Sequence, residues 1–158
     1  MIRKLSIAAV VMTALAITVG SALAANPHYV GPKTPTYSID SSTGSLWVNF
    51  KAAGYGSGQV VDWTATFDYS ITWGCITPPF SNEPSGLKTT DGAANAQGTA
   101  TASRTGTLSG PIQLFNGDTG FSCPSHRQHE VLVSASYTNI IFTLEGIAPF
   151  GPSSVSYP

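Results

Sequence analysis

The sequence predicts an all-β protein, an antiparallel immunoglobulin-like β-sandwich of about seven strands. Three observations carry that expectation. Beyond residue 25, Gly, Ser, Thr, Val and aromatic residues dominate while Leu, Glu and Lys are scarce, a composition that favours strands and turns over helices. From Val61 to Cys75 the odd positions read Val, Trp, Ala, Phe, Tyr, Ile, Trp, Cys, and the even ones Asp, Thr, Thr, Asp, Ser, Thr, Gly. Alternation sustained this far marks a strand with one buried and one wet face. Further short apolar runs lie between turn signals with no helical period among them, which argues for a sandwich over an α/β fold.

Residues 1–24 read as a cleavable signal peptide. Arg3 and Lys4 precede the uncharged apolar run Leu5 to Val19, and Ala22-Leu23-Ala24 supplies a small-residue cleavage site. The run is about 15 residues, short of the roughly 20 that span a bilayer, so export without a membrane span is expected. Residues 25–158 then form a single secreted domain. They carry five basic residues (Lys33, Lys51, Lys88, Arg104, Arg127) against eight acidic ones, a net charge of −3 that attracts neither nucleic acid nor an anionic membrane.

Along that domain, Asn26 to Pro35 reads as irregular. Thr36 to Ile39 and Leu46 to Lys51 form a hairpin about Ser41-Ser42-Thr43-Gly44, with Leu46, Val48 and Phe50 facing inward and Trp47 outward. At about 3.3 Å per residue, Val61 to Cys75 would extend about 46 Å, so a bulge or bend is expected to divide it. Thr77 to Asn95 reads as a long loop. Gln97 to Arg104 turns through Thr105-Gly106 and pairs with Leu108 to Phe115. In Glu130 to Glu145 the apolar positions are odd up to Tyr137 and even from Ile140, a parity flip at Thr138-Asn139 that predicts a bulge or a crossing between sheets. Ala148 to Pro158 reads as an irregular tail.

Cys75 and Cys123 are the only cysteines, and export would place them where disulfides persist, so they are expected to pair. A redox thiol would prefer a C-x-x-C partner, which is missing.

Several stretches together resemble an uncharacterised family of small secreted bacterial proteins, found in actinobacteria and some proteobacteria. They are Asn26-Pro27-His28-Tyr29-Val30, Phe50-Lys51-Ala52-Ala53-Gly54-Tyr55-Gly56, the alternating strand ending at Cys75, Phe121-Ser122-Cys123-Pro124, and Val133-Ser134-Ala135-Ser136-Tyr137-Thr138-Asn139. The resemblance implies secretion and a β-rich fold, and no mechanism. Many members carry a further cysteine pair around the first hairpin, where this chain has Tyr37 and Val48, and follow the cysteine matching Cys75 with an Asn- and glycine-rich turn, where this chain has Ile76-Thr77-Pro78-Pro79-Phe80.

Candidate chemistry is sparse. His126, His129 and Glu130 are the densest set of metal ligands, but in an extended segment residues three apart point to opposite faces, so convergence would need a turn. His28 would suit an amino-terminal copper chelate, except that Pro27 has no amide hydrogen to give up. Asp62 and Asp68 share a face about 20 Å apart, beyond glycosidase spacing. Gly56-Ser57-Gly58 lacks the strand-turn-helix setting of a nucleophile elbow. No cofactor motif is present. Trp47, with Tyr55 in the following loop, is the best binding candidate: either an exposed aromatic patch able to stack on a sugar ring or anchor a protein, or a ring covered by a neighbouring loop. The expected function is a noncatalytic extracellular structural or interaction protein, with self-association among its options. The alternatives are a carbohydrate-binding module using Trp47 and Tyr55, and a small secreted enzyme or toxin, metal-dependent through His126, His129 and Glu130.

Overall fold

The computed structural model describes residues 26–31, 35–79 and 83–158, so the signal-peptide reading of residues 1–24 lies outside the described residues. Within them all regular structure is strand: β1 (His28–Tyr29), β2 (Thr36–Ile39), β3 (Leu46–Asn49), β4 (Lys51–Ala53), β5 (Val60–Ile76), β6 (Ser85–Thr101), β7 (Leu108–Ser109), β8 (Ile112–Phe115), β9 (His129–Leu144) and β10 (Phe150–Tyr157). Every pairing is antiparallel, in three hydrogen-bonded sheets ordered β10-β9-β5-β6, β2-β3-β8 and β1-β4-β7. Ten strands replace the expected seven or so partly because two runs are interrupted. Phe50 alone separates β3 from β4, and Gly110-Pro111 separates β7 from β8, where proline has no amide hydrogen for a ladder.

Alternation along β5 translates directly into burial. Val61, Trp63, Ala65, Phe67, Ile71 and Cys75 are buried, whereas Asp62, Thr64 and Thr66 are exposed. The same inner face receives Tyr137, Ile140, Phe142 and Leu144 from β9, and Leu46, Val48, Ala52, Leu108 and Leu114 from the small sheets complete the core. Aromatic rings bridge the sheets: Phe50 meets Phe142 at 5.3 Å between centroids, and Phe115 stacks on Tyr69 at 5.0 Å.

β5 is not divided, contrary to expectation, because its neighbours absorb the irregularities. Between Thr66↔Ile141 and Asp68↔Thr138, β9 advances one residue more than β5, and the same surplus appears against β10 between Ser153↔Ile140 and Val155↔Tyr137. This is the bulge that the parity flip predicts. Asn139 sits in it at φ 52°, a left-handed conformation that Asn tolerates better than bulkier residues. The insertion lets Tyr137 and Ile140, three residues apart, both be fully buried.

Three further sequence expectations are overturned. Most of Thr77 to Asn95, read as a loop, belongs to β6, which pairs with β5 along nearly its whole length. The inward row of β6 is Gly92, Ala94, Ala96, Gly98 and Ala100, too small to produce a hydropathy alternation. Its size is set by β5: a Cβ on Gly92 would lie 2.6 Å from the Tyr69 hydroxyl, and one on Gly98 would lie 2.7 Å from the Trp63 indole. The expected pairing of Gln97 to Arg104 with Leu108 to Phe115 is also absent. Instead the chain crosses between sheets, and β7 and β8 pair with β4 and β3. The tail forms β10 from residue 150 onward; Pro152 is accommodated because β10 is an edge strand and the register shifts between Phe150 and Ser153.

Candidate functional site

The first hairpin is held by a short polar network. Asp40 Oδ1 accepts from the Ser42 amide (2.8 Å), the Ser42 hydroxyl (2.6 Å) and the Thr43 amide (3.1 Å). Those bonds, chiefly with Ser42, hold the Asp40 carboxyl below its ordinary range. At the foot of the turn the buried Ser45 hydroxyl donates to the Asn116 carbonyl (2.8 Å) and accepts from the Gln113 amide (3.1 Å).

This network sets the outward face of β3. Trp47 lies opposite Ser38 of β2 and Gln113 of β8, and Asn49 lies opposite Thr36. Residues directly opposite in an antiparallel ladder share a face, so these side chains surround the indole. Trp47 is half-buried, while Thr36, Ser38, Asn49 and Gln113 are exposed. The row continues into a depression of about 630 Å³ where β3 gives way to β4, lined by Thr36, Asn49, Lys51 and Ser109 among others. An indole flanked by a tethered amide and short hydroxyls combines an apolar platform with fixed hydrogen-bonding groups.

Tyr55 does not extend that patch. It is only 5% exposed, and its hydroxyl donates to the Glu145 carbonyl at 3.0 Å, tying the loop after β4 to the end of β9. Burial, with a smaller contribution from the Glu145 charge, raises its pKa. The sequence around it, Gly54-Tyr55-Gly56, marks a loop and carries no sign that the ring turns inward.

The metal candidates do not converge. His126 lies in a turn closed by the Gln128 amide on the Ser125 carbonyl (2.9 Å), and His129 and Glu130 are successive residues at the start of β9, opposite Ile76 and Cys75. Successive strand residues point to opposite faces. Among the described residues no group of three His, Cys, Asp or Glu side chains is placed to hold a metal ion. His28 is exposed and its Nδ1 donates to the Asn26 carbonyl at 2.9 Å. Asp62 and Asp68 stay apart on the outer face of β5. Cys75 and Cys123 form a disulfide, with 5.8 Å between their Cα atoms.

One site is missed by sequence reading. On the outer face of the four-stranded sheet, the bulge places Asn139 beside Asp68, and Asn139 Nδ2 donates to Asp68 Oδ2 at 2.7 Å. Thr66, Asp68, Ala93, Asn95, Asn139 and Ile141 line a depression of about 510 Å³ there. The parity flip located the bulge, but without β6 there was no reason to bring Ala93 and Asn95 to it.

Comparison with protein-family models and with curated proteins finds no match to this chain. Among the described residues no helix is long and apolar enough to cross a membrane.

Proposed function

We propose that this chain is a secreted, noncatalytic interaction module of immunoglobulin-like sandwich architecture that binds an extracellular polysaccharide through the Trp47 face. The observation that carries the reading is the outward, half-buried indole between Ser38 and Gln113, with Gln113 tethered through Ser45. Stacking on an apolar sugar face needs a partly open ring held in place, and hydroxyl recognition needs polar groups that lose little freedom on binding. Secretion is supported by the charged, apolar and small-residue layout of residues 1–24 together with a disulfide, a bond typical of oxidising compartments. Resemblance to the small secreted bacterial family agrees with both.

In affinity electrophoresis against a panel of soluble polysaccharides, the protein should be retarded by at least one, and Trp47→Ala should weaken that retardation by about tenfold or more, as loss of a central aromatic anchor does. Absence of retardation on every polymer, or equal retardation of Trp47→Ala, would reject the reading.

Self-association is a second reading, supported by β6. This 17-residue strand is an edge of its sheet, and from Gly92 to Thr101 it carries neither charge nor proline, the residues that normally guard an edge. The native protein should sediment as a dimer or larger species at high concentration, and Gln97→Lys with Thr99→Lys should return it to monomer. A native protein that stays monomeric throughout would dispose of this reading.

A further inference from the structure

We infer that the depression at the β9 bulge is a second ligand site, for a neutral hexopyranose unit, on the outer face of the four-stranded sheet. It does not depend on the Trp47 reading, because the two surfaces lie on different sheets whose inner faces meet in the core.

The bulge itself has a structural reason, since it keeps both Tyr137 and Ile140 in the core. That reason says nothing about which groups surround it. Asp68 is half-buried, whereas Asp62, Thr64 and Thr66 on the same face of the same strand are exposed. Its Oδ2 accepts from Asn139 Nδ2, a charge-assisted bond that fixes the carboxylate plane and leaves Oδ1 for a ligand. Across the ladder Asp68 faces Ala93, so no long side chain fills the space beside the carboxylate. Asn95 adds an amide to the wall and Thr66, opposite it, a hydroxyl, and the Asn139 side-chain carbonyl oxygen adds an acceptor. Ile141, 39% exposed and also opposite Thr66 on β5, supplies an apolar wall.

Those groups define the ligand by their chemistry. A carboxylate only accepts hydrogen bonds, while primary amides and the threonine hydroxyl both donate and accept. Adjacent hydroxyls of a sugar do both as well, so one can donate to Asp68 while its neighbour accepts from Asn95. The axial C–H face of the ring can rest on Ile141 and the Ala93 methyl. A fixed carboxylate disfavours an anionic sugar by like charge. The volume of about 510 Å³ is within the range of small-molecule sites. A free monosaccharide and a residue at the end of a chain present the same chemistry.

The test is an amide ¹H–¹⁵N titration of the secreted protein with glucose, galactose, mannose, N-acetylglucosamine and glucuronate, repeated with short oligosaccharides ending in any sugar that binds. At least one neutral sugar should move the Thr66, Asp68, Asn95 and Asn139 signals in a saturable way, while glucuronate should move none. Tighter binding of the oligosaccharide would identify a chain end as the source, and equal affinity a free sugar. Ala93→Trp, which fills the depression from an exposed position, should weaken binding at least tenfold, as should Asp68→Asn, while Trp47→Ala should leave it unchanged. Melting temperatures of the three variants near that of the parent would show that each is folded. No movement with any of the four neutral sugars, equal response to glucuronate, or undiminished binding by folded Ala93→Trp would overturn the inference.

Discussion

Replacing both cysteines with alanine is expected to lower the unfolding free energy by about 4 kcal/mol, the largest single effect available outside the core. The bridge joins the end of β5 to the strandless segment between β8 and β9, across a sequence separation of 48. In the chain-entropy account, a closed loop of that size removes about 4 kcal/mol of conformational freedom from the unfolded state. The segment it pins, residues 116–128, has no ladder of its own; besides the bridge it is tied by the Ser45 hydroxyl donating to the Asn116 carbonyl at 2.8 Å and by local contacts such as Asn116 Oδ1 accepting from the Asp118 amide at 3.0 Å. Alanine is the right replacement at Cys75, which is 3% exposed, because serine would add a buried hydroxyl to the cost. Urea unfolding should show a lower midpoint and a steeper dependence on denaturant, since the uncrosslinked chain exposes more surface. Thermal unfolding should drop by about 10–20 °C. A loss under about 1 kcal/mol would mean that the unfolded chain is already compact around these residues.

What the sequence discloses follows from where side-chain size varies. Large and small polar residues alternate along β5, so its faces are legible from Val61 to Cys75, and the outward direction of Trp47 follows from the same rule between Leu46 and Val48. The bulge at Asn139 is legible because it shifts large residues from odd to even positions. β6 is hidden for the opposite reason: Trp63 and Tyr69 occupy the space its inward side chains would fill, leaving Gly and Ala on that face and Ala93, Asn95, Gln97, Thr99 and Thr101 on the other. A composition reader sees a loop there. The pairing of β7 with β4 and of β8 with β3 is hidden because it joins segments more than 50 residues apart, and only the fold decides between that and the nearer partner Gln97 to Arg104. Tyr55 shows the limit for single residues. Its burial depends on the Glu145 carbonyl, 90 residues away in sequence. The site at Asp68 is half-legible, since the bulge could be anticipated while the strand that completes the depression could not.

Phe142→Ala is expected to cost about 3–5 kcal/mol, the range for removing a fully buried aromatic ring. Phe142 is 0% exposed, tilted against Phe50 at 5.3 Å and against Trp63 at 6.4 Å, and opposite Ala65 on β5 and Phe150 on β10. The cavity term should be near the top of its range, because Ala65 is too small to fill the space and both neighbouring rings are anchored in their own strands. Phe142→Leu, which keeps most of the volume, should cost clearly less; equal losses would place the effect in ring–ring contact and not in the void. Phe142 pairs with Ala65, ten residues along β5 from Cys75 and so about 33 Å away, a separation at which stability effects normally add. The cysteine-free Phe142→Ala chain should therefore lose about 7–9 kcal/mol. A domain of this kind has a total stability of about 5–15 kcal/mol, so the combined variant should be largely unfolded at 25 °C unless the parent lies in the upper part of that range. Near-ultraviolet circular dichroism would read the outcome directly, through the environment of Trp63, Phe50 and Tyr137. A combined loss well short of the sum would show that the bridge and the aromatic core stabilise the same part of the fold.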